Sequence, residues 1–152
     1  MANIAVVSDS TTLIVLQKLK RWDLLSNLFE LVYIPPKVAD EVNAKQILDV
    51  NFIKRRTVKE KKTVELLKIT LDDGESEAIA LAFELGLPLI IDEKKGRKSA
   101  KLMGVAVVGF VGILLQNIKL GFIQKVDAVA IIHEAEVVGM RMSVELMRLF
   151  ED

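Results

Sequence analysis

Four acidic residues lie where an α/β fold would bring side chains together for chemistry. Asp9 follows the apolar run 4–8, and Asp92 follows the apolar run 89–91. Such runs predict buried parallel strands, and sites in open α/β sheets form just outside the carboxyl ends of the strands. Glu41 and Glu75 are the other two acids of the set. Carboxylates gathered in one place repel each other, so the set predicts a hard divalent cation held by oxygen ligands.

Helix periodicity separates two glutamates at the start of the helix predicted over 75–85. Glu75 lies three residues before Ala78 and extends the apolar stripe of this helix toward the sheet. Glu77 lies about 200° further round the helix. Asp72 and Glu75 also have the spacing of a capping box, which is an equal alternative for Glu75. Glu41, taken alone, is a solvated helix residue.

Strand and helix signals alternate along the chain. Strands are predicted over 4–9, 31–34, 52–58, 87–91 and 105–108. Helices are predicted over 10–19, 22–30, 36–44, 59–69, 75–85, 94–103 and 110–118, with hydroxyls of residues 10–12 offered as N-caps to the first. This order predicts an α/β fold: a three-layer α/β/α sandwich with a mostly parallel central sheet. We expect a single domain over residues 1–152, with a helical C-terminal tail over about 124–152.

The composition excludes several classes of protein. Apolar residues make up 51% of the chain, which argues against disorder. The 21 basic and 21 acidic residues cancel, so any nucleic-acid site must rest on local charge. The chain has no cysteine, which excludes disulfides and thiolate chemistry. It shows no signal-peptide pattern and no apolar run long enough to cross a bilayer, so we expect a cytoplasmic protein without a membrane partner.

Four segments of the chain carry a resemblance to a known family. They are residues 6–14, 33–42, 74–82 and 89–93. In order, they contain Asp9, Glu41, Glu75 and Asp92. Together, from about residue 4 to residue 123, they resemble a PIN domain, most closely the small prokaryotic branch related to VapC-type toxins. Toxins of that branch usually have Asp in place of Glu75, and Glu77 competes for this position.

The resemblance implies a PIN-like fold and a nuclease that cleaves RNA, or less often DNA. The implied cofactor is Mg²⁺ or Mn²⁺, which activates a water and neutralises charge on the scissile phosphate. The implied catalytic and metal-binding residues are Asp9, Glu41, Glu75 and Asp92, with Glu77 and Glu93 as further candidate ligands. Thr11 either positions a metal-bound water or a carboxylate, or caps the first helix.

Two basic clusters are candidate nucleic-acid contacts. One follows Asp92 directly and contains Lys94, Lys95, Arg97, Lys98 and Lys101. The other contains Lys54, Arg55, Arg56, Lys59, Lys61 and Lys62. Such side chains neutralise phosphates and supply most non-specific affinity, although a charge run is also typical of a solvated helix face. Because it adjoins Asp92, the first cluster is the preferred RNA-binding candidate.

The sequence leaves more than one function open. A ribonuclease is the main hypothesis, and its finer form is the toxin of a toxin–antitoxin module with an antitoxin protein as partner. A nucleic-acid-binding module with little or no nuclease activity is the alternative, favoured by the neutral net charge and by Glu75. A phosphoryl-transfer or receiver-like domain would also place acids at strand ends, but Thr11 replaces the second Asp of the dehalogenase-type signature. The apolar tail predicts a homodimer, with packing into the core of the domain as the alternative.

Overall fold

The central sheet has five strands within residues 5–43 and 50–150, which the computed structural model describes. They are β1 (Ala5–Ser8), β2 (Leu31–Ile34), β3 (Ile53–Arg55), β4 (Leu89–Ile90) and β5 (Val107–Val108). Their order is β3-β2-β1-β4-β5, and every neighbouring pair is parallel. The buried runs predicted for β1 and β4 therefore lie side by side at the centre of the sheet.

Helices connect the strands and cover the sheet. They are α1 (Ser10–Leu19), α2 (Asp23–Ser26), α3 (Pro36–Asn43), α4 (Lys61–Leu67), α5 (Asp73–Leu85), α6 (Lys94–Leu102), α7 (Phe110–Lys119), α8 (Lys125–Val137) and α9 (Val144–Arg148). Helix α5 packs on β1 and β4 and contacts α3, α4 and α6, whereas α7 contacts β5, α2 and α8. The predicted three-layer sandwich is confirmed. In the described part of the chain, no helix is both long and apolar enough to span a bilayer.

Several elements are shorter than predicted. The edge strand predicted over 52–58 is observed only over Ile53–Arg55, as β3. Its partner β2 ends before Pro35, which has no N–H with which to extend the hydrogen-bonded ladder. The tail, predicted as helical to residue 152, forms the two helices α8 and α9, and between them Gly139 has φ of 108°. The expected end of the third helix near residue 44, and the last two residues of the tail, lie outside the described residues.

A buried asparagine fixes α7 against α2. The side-chain amide of Asn117 donates to the carbonyl oxygens of Leu24 at 3.0 Å and Ile113 at 2.9 Å. Its oxygen accepts from the side chain of Asn27 at 2.9 Å. Each of these partners offsets the cost of burying a polar group in the core. The orientation of α7 matters because its first residue reaches the candidate site.

Candidate functional site

The sheet changes its direction of growth between β1 and β4. Strands β2 and β3 are added on one side of β1, and β4 and β5 on the other. Ligands of open α/β sheets bind in the crevice outside the strand ends at such a switch point. The N–H of Asp9 donates to the carbonyl of Ile90 at 2.9 Å, so the residues that follow these two strands lie next to each other.

Asp9 is the most buried acid of the set. It is 6% exposed and is the N-cap residue of α1, but its side chain makes no capping hydrogen bond. The predicted N-cap role of residues 10–12 is therefore wrong. The pKa of Asp9 is raised to about 7, chiefly by burial; a backbone hydrogen bond from Ser10 lowers it, and the negative charges of Glu75, Glu41 and Asp72 contribute to the rise.

Glu41 reaches across from α3 to the first turn of α5. Its Oε1 lies 2.6 Å from the position that a Cβ would occupy at Gly74. Only glycine therefore allows this close approach of carboxylate and helix. Partial burial raises the pKa of Glu41, as do the charges of Asp72 and two neighbouring aspartates, while a hydrogen bond from the Ser10 side chain lowers it.

Glu75 caps its helix and also contributes charge to the site. Its N–H donates to Asp72 Oδ1 at 2.8 Å, and the N–H of Asp72 donates to Glu75 Oε1 at 3.4 Å, which completes a capping box. Burial and the negative charges of Asp72, Glu93 and Glu41 together raise the pKa of Glu75 to about 7. Asp72 thus acts on Asp9, Glu41 and Glu75 together. From its spacing to Glu75, the sequence indicated Asp72 only as a helix cap and not as a charge that acts on the site.

Asp92 is held by hydrogen bonds from two helices, α1 and α7. Its Oδ2 accepts from the Thr12 hydroxyl at 2.6 Å, and its Oδ1 accepts from the N–H of Phe110 at 2.8 Å, at the start of α7. A Cβ at Gly109 would lie 2.8 Å from the same Oδ1 and 3.0 Å from Arg97 Nη1, so glycine is needed here as well. The N-terminus of α7 favours a negative charge at this place. The carboxylate is therefore fixed in orientation before any ligand binds.

The remaining candidates have other neighbours. Thr11 is exposed and makes no side-chain hydrogen bond within the described ranges, whereas Thr12 contacts Asp92. Glu77 accepts from the N–H of Lys37 at 2.9 Å in the first turn of α3. Glu93 is the N-cap of α6 and accepts from the N–H of Gly96 at 2.6 Å. Glu77 and Glu93 therefore have structural partners, and their roles as metal ligands stay predictions.

The donor chemistry of the site fits a hard cation. Asp9, Glu41 and Glu75 offer carboxylate oxygens, and the charges that most affect each of them are negative. A bound cation would favour their ionised forms and remove the cost of their repulsion. Among the residues that the structure describes, no three acidic or histidine side chains form a ready-made ligand set. Side-chain movement on binding would have to complete it.

Helix α6 places cations beside the acids. Lys94, Lys95, Lys98 and Lys101 are exposed on it. Arg97 is half-buried, and its Nη1 donates to the carbonyl of Ile91 at 2.8 Å, directly before Asp92. The second basic cluster, with Arg56 stacked 5.2 Å from the Tyr33 ring, follows the edge strand β3. The structure thus separates a cluster next to the acids from one at the sheet edge.

Comparison with known proteins gives the family. A family model described as a PIN domain matches residues 5–150, and the chain therefore belongs to the PIN domain family. Among solved structures, it is similar to a PilT N-terminus domain protein from the hyperthermophilic archaeon Sulfolobus solfataricus P2, with a TM-score of 0.53 and 25% identity over 75% of this chain and 92% of that one. No curated protein matches the sequence. PIN domains are generally nucleases that typically use divalent metal ions.

Proposed function

We propose that this protein is a metal-dependent ribonuclease that hydrolyses phosphodiester bonds with Mg²⁺ or Mn²⁺. One observation carries the proposal: at the switch point of the sheet, the buried carboxylate of Asp9 is surrounded by the negative charges of Glu75, Glu41 and Asp72. Such an arrangement is costly unless a cation is bound there. Family membership agrees, since PIN domains are generally nucleases.

The acids would have different roles because their surroundings differ. Asp9, Glu41 and Glu75 would hold the cation, since their charges act on one another. When bound, the cation supplies Lewis acidity and lowers the pKa of its water. Asp92, whose two oxygens are held by Thr12 and Phe110, presents a carboxylate of fixed orientation to the same crevice. The cost of ordering this group is met during folding rather than at the moment of reaction.

The proposed substrate is RNA, with DNA less favoured. The exposed lysines of α6 begin two residues after Asp92 and would neutralise phosphates on the strand that enters the crevice. Contacts of this kind position the backbone without reading its sequence. We therefore propose binding that is broad in sequence and sensitive to salt.

A binding module with little nuclease activity is the second candidate. It is favoured by the absence of a ready-made ligand set among the described residues and by Glu at the third acidic position. In that case the α6 cations would still bind RNA, and the acids would serve only the fold. Binding without cleavage is the outcome expected from this candidate.

The finer biological role we propose is the toxin of a toxin–antitoxin module. Its test is growth arrest on expression that requires Asp9 and is relieved by co-expression of an antitoxin protein. We also propose a homodimer, because apolar side chains of the tail stay exposed: Val137 is 86% and Val144 is 65% exposed. Sedimentation equilibrium would measure the mass in solution.

The deciding experiment is cleavage of labelled RNA by the purified protein. We expect cleavage with millimolar Mn²⁺ or Mg²⁺, no cleavage with chelator, and no cleavage by Asp9→Asn at any metal concentration. Asp23→Asn is the matched control, because Asp23 is an exposed acid at the start of α2, paired with Arg21 in the preceding loop. Equal cleavage by Asp9→Asn and wild type would reject the nuclease proposal. Binding of RNA without cleavage would support the second candidate.

A further inference from the structure

A cleft of about 390 Å³ opens directly beside Asp92. Asp92, Arg97 and Gly109 are among the residues that line it. Its sides come from β5, the start of α7 and the C-terminal segment 140–149, which includes α9. The nuclease proposal uses Asp92 but not the tail residues that line this cleft.

Most of the other residues that line the cleft are apolar. They include Val108, Val111, Leu115, Met142, Leu146 and Leu149. Arg141 lies on the rim contributed by the tail. Arg97 uses Nη1 on the carbonyl of Ile91, and a guanidinium has four further N–H donors. The cleft therefore combines two guanidinium groups and the Asp92 carboxylate with a broad apolar surface.

This combination matches the chemistry of a nucleotide. A nucleotide has an anionic phosphate at one end and, at the other, a flat base whose faces are apolar and whose edges carry polar groups. The cleft volume lies within the range of about 300–1,000 Å³ that is typical of small-molecule sites. A phosphate between Arg97 and the acids would leave the attached ribose and base facing the aliphatic and methionine walls.

We propose that this cleft binds the nucleotide attached to the scissile phosphate, with segment 140–149 as its outer wall. The proposal rests on the proposed function for the identity of that phosphate. Methionine and leucine side chains contact any base and adapt to its shape, but they provide no directional hydrogen bonds. The subsite therefore accepts all four bases with similar affinity.

The test uses adenosine 5′-monophosphate as a probe and methyl NMR of the full chain with Mg²⁺ present. The nucleotide is expected to shift the methyl signals of Met142 and Leu146 saturably while leaving Val144 unchanged. Ribose 5-phosphate should leave all three signals in place. Leu146→Ala should weaken nucleotide binding about tenfold, equivalent to about 1.4 kcal/mol. Val144→Ala is the matched control, since Val144 lies on the same helix, is also exposed and does not line the cleft.

Three outcomes would overturn the subsite: no shift at Met142 and Leu146, equal shifts with ribose 5-phosphate, or equal affinity in the two alanine variants. Shifts that follow protein concentration instead of nucleotide would identify an interface between copies and also overturn it. RNA cleavage is measured on the same samples. Nucleotide binding without RNA cleavage would support the subsite and reject the nuclease. RNA cleavage without nucleotide-induced shifts would support the nuclease and reject the subsite.

Discussion

The hydroxyl of Thr12 donates a 2.6 Å hydrogen bond to Oδ2 of Asp92, across 80 residues of sequence. This bond joins the first turn of α1 to the segment that follows β4. The N–H of Phe110 holds the other oxygen at 2.8 Å, so two hydrogen bonds leave the carboxylate little rotational freedom. Asp92 is thus aligned by neighbours that are not themselves candidate ligands.

Thr12→Val should reduce RNA cleavage much more than Thr11→Val. Valine keeps the branched shape of Thr12 but removes the donor to Asp92. Hydrogen bonds to charged groups contribute about 1.5–3 kcal/mol, so a loss of roughly tenfold or more in kcat is expected if Asp92 must be aligned. Steady-state kinetics would separate kcat from KM. A larger loss in Thr11→Val would favour the role predicted from the sequence for that residue.

Substitution of Glu75 should affect catalysis, whereas substitution of Glu77 should affect stability. Glu75→Gln should abolish cleavage, because Glu75 contributes charge to Asp9, while the fold is retained. Glu77→Ala should lower the free energy of unfolding by about 1 kcal/mol, because the N–H of Lys37 loses its acceptor in the first turn of α3. Cleavage rates and thermal melts of both variants would show this. Equal loss of activity in the two would contradict the separation of roles.

The metal-free protein should lose stability as pH rises from 5 to 8. The folded-state pKa of Asp9 is about 7, above its ordinary value of 3.8, so the folded state binds this proton more tightly. The resulting stability is present below about pH 4 and is lost as pH rises through about 7. We expect a loss of at least about 1 kcal/mol, or roughly 2–4 °C in Tm.

Asp9→Asn should flatten this pH dependence and raise Tm at pH 8 in the presence of chelator. Glu75, whose pKa is also raised to about 7, should leave a smaller slope in the variant. Added Mn²⁺ should stabilise wild type at pH 8 more than the variant, because binding to the native state is linked to folding. If Tm depended on pH in the same way in the variant and in wild type, the raised pKa of Asp9 would not be the cause of the loss of stability.

Neutralising α6 should weaken RNA binding across sequences. Alanine at Lys94, Lys95 and Lys98 should lower affinity and flatten its salt dependence, by roughly 0.7 in log–log slope for each single-strand phosphate contact removed. The matched control replaces Lys54, Lys61 and Lys62, which removes the same charge from the cluster near the sheet edge. Fluorescence anisotropy at several salt concentrations would measure both. An equal effect of the two triple variants would mean that only net charge matters.

The order of elements and the positions of the acids were predictable from the sequence. Apolar runs mark β1 and β4, and each is followed by an acid because the runs end where the chain leaves the core. The capping residues Asp72 and Gly86 set the limits of α5. Membership of the PIN family could be expected from the spacing of four acidic segments, and the family match agrees.

Contacts between distant residues were decided only by the tertiary structure. Whether Thr11 or Thr12 contacts Asp92 depends on how α1 is rotated against β4, and one residue changes a helical direction by about 100°. The tail was predicted only as helical, and the break between α8 and α9 that lets segment 140–149 line the cleft beside Asp92 was not predicted. Local sequence determines which residues form a helix or a strand, because propensity and periodicity act over a few residues. The packing of those elements determines which side chains meet, because each contact depends on residues far apart in the chain.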